Sequence, residues 1–169
     1  MKTRYVQYFA EGEDERKIID VLKTRLSVIK PWKVLRLNVV EQEIKMTHLR
    51  TLACGTMVVL VFDTDTESQN ILIKNIKILE ECPSVSEIVL IPQIPNLEGE
   101  LIYSCNIKKI EDLLNSKSIR DFKRDLIRTS NLDSKLQEHQ FSIAQFWSRN
   151  PAWSYHNIKN QAAKIKLMK

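Results

Sequence analysis

Glycine is scarce in this sequence, with 3 in 169 residues. A phosphate-cradling loop of the GxxxxGK[ST] type is therefore excluded, and with it an intrinsic ATPase motor. Cysteine is equally sparse: Cys54, Cys82 and Cys105 are widely separated, odd in number and contain no CxxC pair. Neither a zinc ribbon nor a disulfide framework follows from that spacing, and reduced, mostly buried thiols are expected. His48, His139 and His156 stand alone, without HxxxH or HxH spacing, and are not expected to be ligands. No apolar run approaches the ~20 residues needed to cross a bilayer, so no membrane partner is expected. The opening "MKTRYVQYFAEG" starts basic, but its apolar part is short and soon acidic. It reads as a first strand and not as a signal peptide, which implies a cytoplasmic protein.

What is present suffices for one ordinary domain with a small appendage: 43% hydrophobic and 28% charged residues. The formal charge of +5 is unevenly placed. Residues 1–116 hold 15 Lys+Arg against 17 Asp+Glu, whereas residues 117–169 hold 11 against 4. A basic region beside an acidic one suits a polyanion whose phosphates need both steering and metal neutralisation. A basic tail that binds nothing in particular is the plainer alternative.

Hydrophobic periodicity organises the first two thirds. "RYVQYFAEG" reads as a strand, and "EDERKIIDVLKTRL" as an amphipathic helix with Ile18, Ile19, Leu22 and Leu26 on one stripe, ended by Pro31. "KVLRLNVVE" reads as a second strand, "EIKMTHLRTLA" as a helix broken by Gly55, and "TMVVLVFDTD" as a third strand. Residues 69–82 read as a helix, and "SEIVLIPQI" as a fourth strand stopped by Pro92 and Pro95. This alternation predicts a mostly parallel four-stranded sheet with flanking helices over residues 1–105. Residues 106–169 are expected to form a basic, aromatic-rich helical extension packed on that core. In it, "SIRDFKRDLIRT" would present Ile119, Phe122, Leu126 and Ile127 as a narrow apolar face, and the last residues would be basic and frayed.

Parallel sheets carry their sites at the carboxyl ends of the strands. Glu11 ends the first strand, Asp63 and Asp65 the third, and Glu98 and Glu100 follow the fourth, so all fall on one edge. Carboxylates at i and i+2 of an extended chain point the same way and repel. A hard cation such as Mg²⁺ between them converts that repulsion into coordination. Glu41 and Glu43, after the second strand, are read as solvated.

"YFAEGEDE" followed some fifty residues later by "VLVFDTDTE" resembles the Toprim domain of topoisomerases, bacterial primases, recombination mediators and OLD-type nucleases. The matching elements are the Glu11-Gly12 pair after strand one and Asp63-x-Asp65 after strand three, and the likeness covers roughly residues 4–105. It implies a Toprim-like, Rossmann-like fold in which Asp63 and Asp65 ligate Mg²⁺ (or Mn²⁺), with Glu67 assisting through water. Glu11 would act as ligand or general acid/base, and Gly12 would permit a tight turn with an unusual backbone angle. Glu15, four residues after Glu11, and an acid in "LEGE", with Glu100 preferred over Glu98, point to the OLD-type nuclease branch and to two metals.

The implied activity is metal-dependent hydrolysis of DNA or RNA, with a place in phage defence. OLD-type sites also use a distant lysine, for which Lys159, Lys164 and Lys166 are candidates. Because the motor is missing, a separately encoded ATPase is an implied partner, and self-association into a homo-oligomer is compatible with such a module. A non-hydrolytic nucleic-acid-binding or assembly module is the alternative. Domains for strand passage or priming are not evident. Arg120, Lys123, Arg124 and Arg128 either face phosphates or form the solvated side of a helix. Phe141, Phe146, Trp147, Trp153 and Tyr155 either pin the extension to the core or stack on bases. A signalling receiver would also gather acids here, with Asp63 as phosphoacceptor, but needs Ser or Thr where "IPQIP" stands and a fifth strand.

Overall fold

The structure, a computed structural model, describes residues 5–167. Strand β1 spans Tyr5–Ala10 and helix α1 Glu13–Thr24. A short strand β2 (Lys33–Arg36) and a one-turn helix α2 (Met46–Leu49) lead to β3 (Thr56–Asp63). Helix α3 (Asn70–Glu80), strand β4 (Val85–Gln93) and helix α4 (Leu97–Ser104) follow. Beyond them come a 3-10 turn at Ile110–Leu113, helices α5 (Ile119–Arg128) and α6 (Leu132–Glu138), and 3-10 turns at Trp153–Tyr155 and Ala162–Lys164.

All four strands are parallel, in the order β2-β1-β3-β4, flanked by helices as in a Rossmann-like α/β fold. The reason lies in β3, whose residues Thr56 to Phe62 are all buried. A continuous apolar strand needs cover on both faces, which right-handed helical crossovers provide. Met57, Val59 and Val61 face α1 and the extension, while Val58, Leu60 and Phe62 face α3 and the 37–52 segment. Each such side chain contributes about 1.5–3 kcal/mol by leaving water. The extension joins the first of these cores directly, through Phe122, Leu126, Leu136, Phe146, Trp147 and Ile165.

Several boundaries differ from the sequence reading. β2 stops at Arg36 because Asn38 turns the chain, its Oδ1 accepting from Val40 N at 3.1 Å. The apolar Leu37, Val39 and Val40 are buried in that turn. The turn is held by buried Asn75, which accepts from Ile44 N at 2.7 Å and donates to the carbonyls of Val39 and Gln42 at 2.9 Å each. Pro92 does not stop β4 but lies within it, in register with Phe62. Proline is tolerated because β4 is an edge strand. Gln161 covers that edge, its N–H donating to Leu90 O and its Oε1 accepting from Leu90 N, both at 2.9 Å.

The chain end is not frayed up to Leu167: Lys30 N donates to Ile165 O at 2.9 Å and Leu167 N to Val28 O at 2.8 Å. On α5 only Phe122 and Leu126 are buried, and Ile119 and Ile127 are exposed.

Gly99 shows how closely α4 seats on the loop before it. A Cβ there would meet Ile94 O at 2.6 Å and Pro95 Cδ at 2.7 Å. Helix propensity alone would make Gly99→Ala stabilising by about 1 kcal/mol. The contact reverses the sign, and we expect a net loss of about 1–3 kcal/mol in urea denaturation.

Candidate functional site

The strand order reverses between β1 and β3, the place on the carboxyl edge where open parallel sheets hold their ligands. Phe9 pairs with Leu60, and Asp63 pairs with Gln93 of β4. That register brings the end of β1, with Glu11 beyond it, beside the end of β3, with Asp63. Burial raises the Glu11 carboxyl to about 7, aided by the charges of Glu15, Asp65 and Glu41 and opposed by Lys123. Burial likewise raises Asp63 to about 8, aided by Glu11, Glu15 and Asp65 and opposed by a hydrogen bond from Gln93. Each carboxylate thus lies in the field of the others, on one rim.

Gly12 is the residue before α1, but its backbone is ordinary extended chain, φ −139° and ψ −173°. The expected unusual angle is absent. Its N–H donates to Glu15 Oε2 at 2.8 Å, and a Cβ would stand 3.1 Å from that oxygen. Glycine therefore lets Glu15 fold back and satisfy an orphan N–H of the helix start. Glu15 is buried and its carboxyl is raised, first by that burial. It acts on Glu11 through its charge while its Oε2 is committed to the cap.

Asp63 Oδ1 accepts from Gln93 Nε2 at 2.7 Å, and Gln93 Oε1 accepts from Trp147 Nε1 at 3.1 Å. Gln93 is fully buried and orients Asp63. Sequence reasoning missed it, because a neutral amide between prolines carries no local signal. Asp65 and Glu67 are exposed on the loop after β3, and the charge of Glu67 is not among those acting on Glu11 or Asp63.

Glu100 departs furthest from its expected role. Glu98 and Glu100 lie on α4, not on an extended segment, so two residues of separation send them to nearly opposite sides. Glu100 is fully buried: Oε1 accepts from Ile94 N at 2.9 Å and Arg149 Nη2 at 3.2 Å, and Oε2 accepts from Trp147 N at 3.1 Å. Its carboxylate pins the loop after β4 to the extension. Arg149, also missed, donates to Ile94 O at 2.7 Å and lies 4.2 Å over the Tyr103 ring.

The basic candidates divide. Lys123 reaches the acidic edge, 3.2 Å from Glu98. Although burial acts to lower its pKa, the charges of Glu98, Asp14 and Glu15 raise it overall. Arg124 pairs along its own helix with Asp121 at 2.9 Å, and Arg120 and Arg128 are exposed. Lys164 pairs with Glu87 at 2.6 Å, Lys159 is exposed, and Lys166 is partly buried, which lowers its pKa. Glu41 is exposed yet acts on Glu11, and Glu43 pairs with Lys74 at 2.5 Å. β4 ends in Gln93 where a receiver needs Ser or Thr, and among the described residues the sheet has four strands.

The oxygens suit a hard divalent cation. Glu11 and Asp65 make no side-chain hydrogen bond or ion pair among the described residues, and Asp63 keeps Oδ2 free. Among the described residues no three His, Cys, Asp or Glu side chains form a ready-made chelate. One or two carboxylates would therefore share an ion with water and a ligand's phosphate oxygens. No helix among the described residues is long and apolar enough to cross a membrane. Comparison with protein-family models, curated proteins and solved structures finds no match for this chain.

Crowded carboxylates make stability depend on pH. The folded-state pKa of Asp63 is raised from 3.8 to about 8, so its contribution is full below the unfolded value and is lost as pH rises through about 8. Asp63→Asn keeps an acceptor for Gln93 and removes the charge. We expect no gain near pH 4 and a gain of about 2 kcal/mol at alkaline pH, after discounting for solvent screening. Thermal melts across pH, with and without Mg²⁺, check this, and Mg²⁺ should narrow the gap.

Proposed function

We propose that this chain is a Toprim-like, Mg²⁺- or Mn²⁺-dependent nuclease that hydrolyses phosphodiester bonds of DNA or RNA. The observation that carries the reading is the juxtaposition of Glu11, just beyond β1, with Asp63 at the end of the adjacent parallel strand β3, where the charge of Glu11 acts on Asp63. Asp63 and Glu11 would hold the ion, with Asp65 contributing through its exposed carboxylate. When bound, the ion would supply Lewis acidity and a water of lowered pKa.

The chain's own residues prepare the rest. Gln93 holds Asp63 by Oδ1 and leaves Oδ2 available for an ion. Without an ion, burial first of all raises Glu11 to about 7, so it would give up its proton on ligating the ion, or serve as general acid/base where Asp63 and Asp65 hold the ion instead. Lys123 stands at the same edge to meet a phosphate, and the acid-poor extension steers a polyanion toward it. A role in phage defence, within the OLD-type branch, rests on the motif likeness alone.

Exposed Ile119 and Ile127 on α5 favour a second reading, a non-hydrolytic module that docks onto a separately encoded ATPase. A supercoiled plasmid and an RNA transcript, each incubated with Mg²⁺, Mn²⁺ or EDTA, separate the two. We expect cleavage with either ion and none with EDTA, and a loss of at least roughly a hundredfold in Glu11→Gln and Asp63→Asn. Uncut substrates under both ions select the docking module.

Gln93→Ala leaves the Trp147 indole N–H and Asp63 without their partner. It should lower cleavage by roughly 10–100-fold with a smaller change in substrate affinity.

A further inference from the structure

Trp153 is 91% exposed, far beyond any other large hydrophobic side chain among the described residues. Its neighbours in sequence go the other way: Pro151, Tyr155 and Ile158 are buried. The segment is therefore anchored on both sides of an indole that it holds out in water. Trp153 also has φ 52°, in the left-handed region that a bulky residue seldom occupies. Such a backbone persists only where its surroundings impose it.

Those surroundings are the loop that carries Asp65. Tyr155 OH bonds Thr66 Oγ1 at 2.8 Å, and the Tyr155 ring lies 6.2 Å from that of Phe62. Gln69 Nε2 donates to Ser154 O and, at 3.3 Å, to Asn157 Oδ1. Two residues of chain, each spanning at most ~3.8 Å, separate Trp153 from Tyr155. The segment that carries the indole is thus tied to the loop that follows β3 and holds Asp65. Its own segment adds no acid, since from residue 139 to the end the sequence has no Asp or Glu and 5 Lys+Arg, while the loop it rests on carries exposed Asp65 and Glu67. An exposed ring face is what proteins use to stack an unpaired base, and a cation at the acidic edge would offset Asp65 and Glu67 for the neighbouring phosphates.

We propose that Trp153 stacks an unpaired base of the strand whose phosphodiester lies at Glu11 and Asp63, making single-stranded nucleic acid the substrate class. This rests on the nuclease reading, and the test separates the two. Fluorescence anisotropy of labelled oligothymidylate, oligouridylate and a blunt duplex hairpin is measured in Ca²⁺ for wild type, Trp153→Ala, Trp153→Phe and Asp63→Asn. Cleavage of the same three oligonucleotides in Mg²⁺ is followed in parallel.

We expect Trp153→Ala to weaken binding of at least one single strand by roughly tenfold or more, Trp153→Phe to retain part of it, and hairpin binding to stay unchanged. Asp63→Asn should abolish cleavage while keeping the single-strand preference. Trp153→Ala binding single strands as wild type does overturns the stacking role, and cleavage lost in Asp63→Asn then leaves the nuclease reading standing. A wild type that binds neither single strand overturns it as well, as does a Trp153→Ala defect confined to self-association or shared equally by the hairpin. Absent cleavage with Trp153-dependent single-strand binding upholds the platform and removes the nuclease. Near-UV circular dichroism confirms that the variants fold, and Phe rescue distinguishes stacking from a local structural loss.

Discussion

The buried amide of Gln93 is the joint on which the acidic edge depends. Its NH₂ donates to Asp63 on the neighbouring strand, and its carbonyl oxygen accepts from the indole of Trp147. Only a side chain with both a donor and an acceptor can serve both neighbours at once, and an amide does so without adding charge. Glu100 makes the second tie, accepting from the backbone of Trp147 and of Ile94. The extension therefore reaches the site from behind, through two buried polar contacts, and shares the apolar core of β1 and β3. Removing it would expose that core and free the orientation of Asp63 together.

Topology supplies the rest of the constraint. In a parallel sheet every strand delivers its last residue to the same edge, and the order β2-β1-β3-β4 places its reversal between the two strands that end in acids. The β1–β3 ladder keeps the segments bearing Glu11 and Asp63 adjacent, and burial first, with neighbouring acid charges second, raises the proton affinity of both. An edge of this kind holds protons when it lacks cations and gives them up when a cation arrives.

The parts legible in the sequence were those with long-period or categorical signals. The buried run of β3 and the 3.6-residue stripe of α1 announce themselves locally, and the edge position of Glu11 and Asp63 follows from strand order in the chain. Other features depend on partners remote in sequence. Asn38 cuts β2 short because Asn75 is there to receive the turn. Pro92 is admitted because β4 became an edge strand, which no local pattern states. Glu98 and Glu100 look like an alternating pair until Asn96 caps a helix across them, accepting from Gly99 N at 3.0 Å. Lys123 and Arg149 resemble every other basic residue of the extension, and only the packing of α5 and the loop after α6 sets them at the edge or behind it.

Pairing then decides which acids remain active in the electrostatic sense. On the flanks of the edge Glu13 meets Arg36 at 3.2 Å, Glu98 meets Lys123 at 3.2 Å and Glu43 meets Lys74. In the centre Glu11, Asp63 and Asp65 have no cation within ion-pair distance among the described residues. Surface pairs of the flanking kind add little stability, so their consequence is chiefly one of field. They cancel charge on the flanks and leave it in the centre. Under the proposed nuclease reading, a phosphate would meet Lys123 and Arg36 at the flanks and would reach the uncompensated carboxylates in company with a cation. A patch of bare acids without that framing would reject nucleic acid outright, whereas a uniformly basic surface would bind it with no place for an ion. Under that reading, the paired rim and the unpaired centre would serve both needs on one edge.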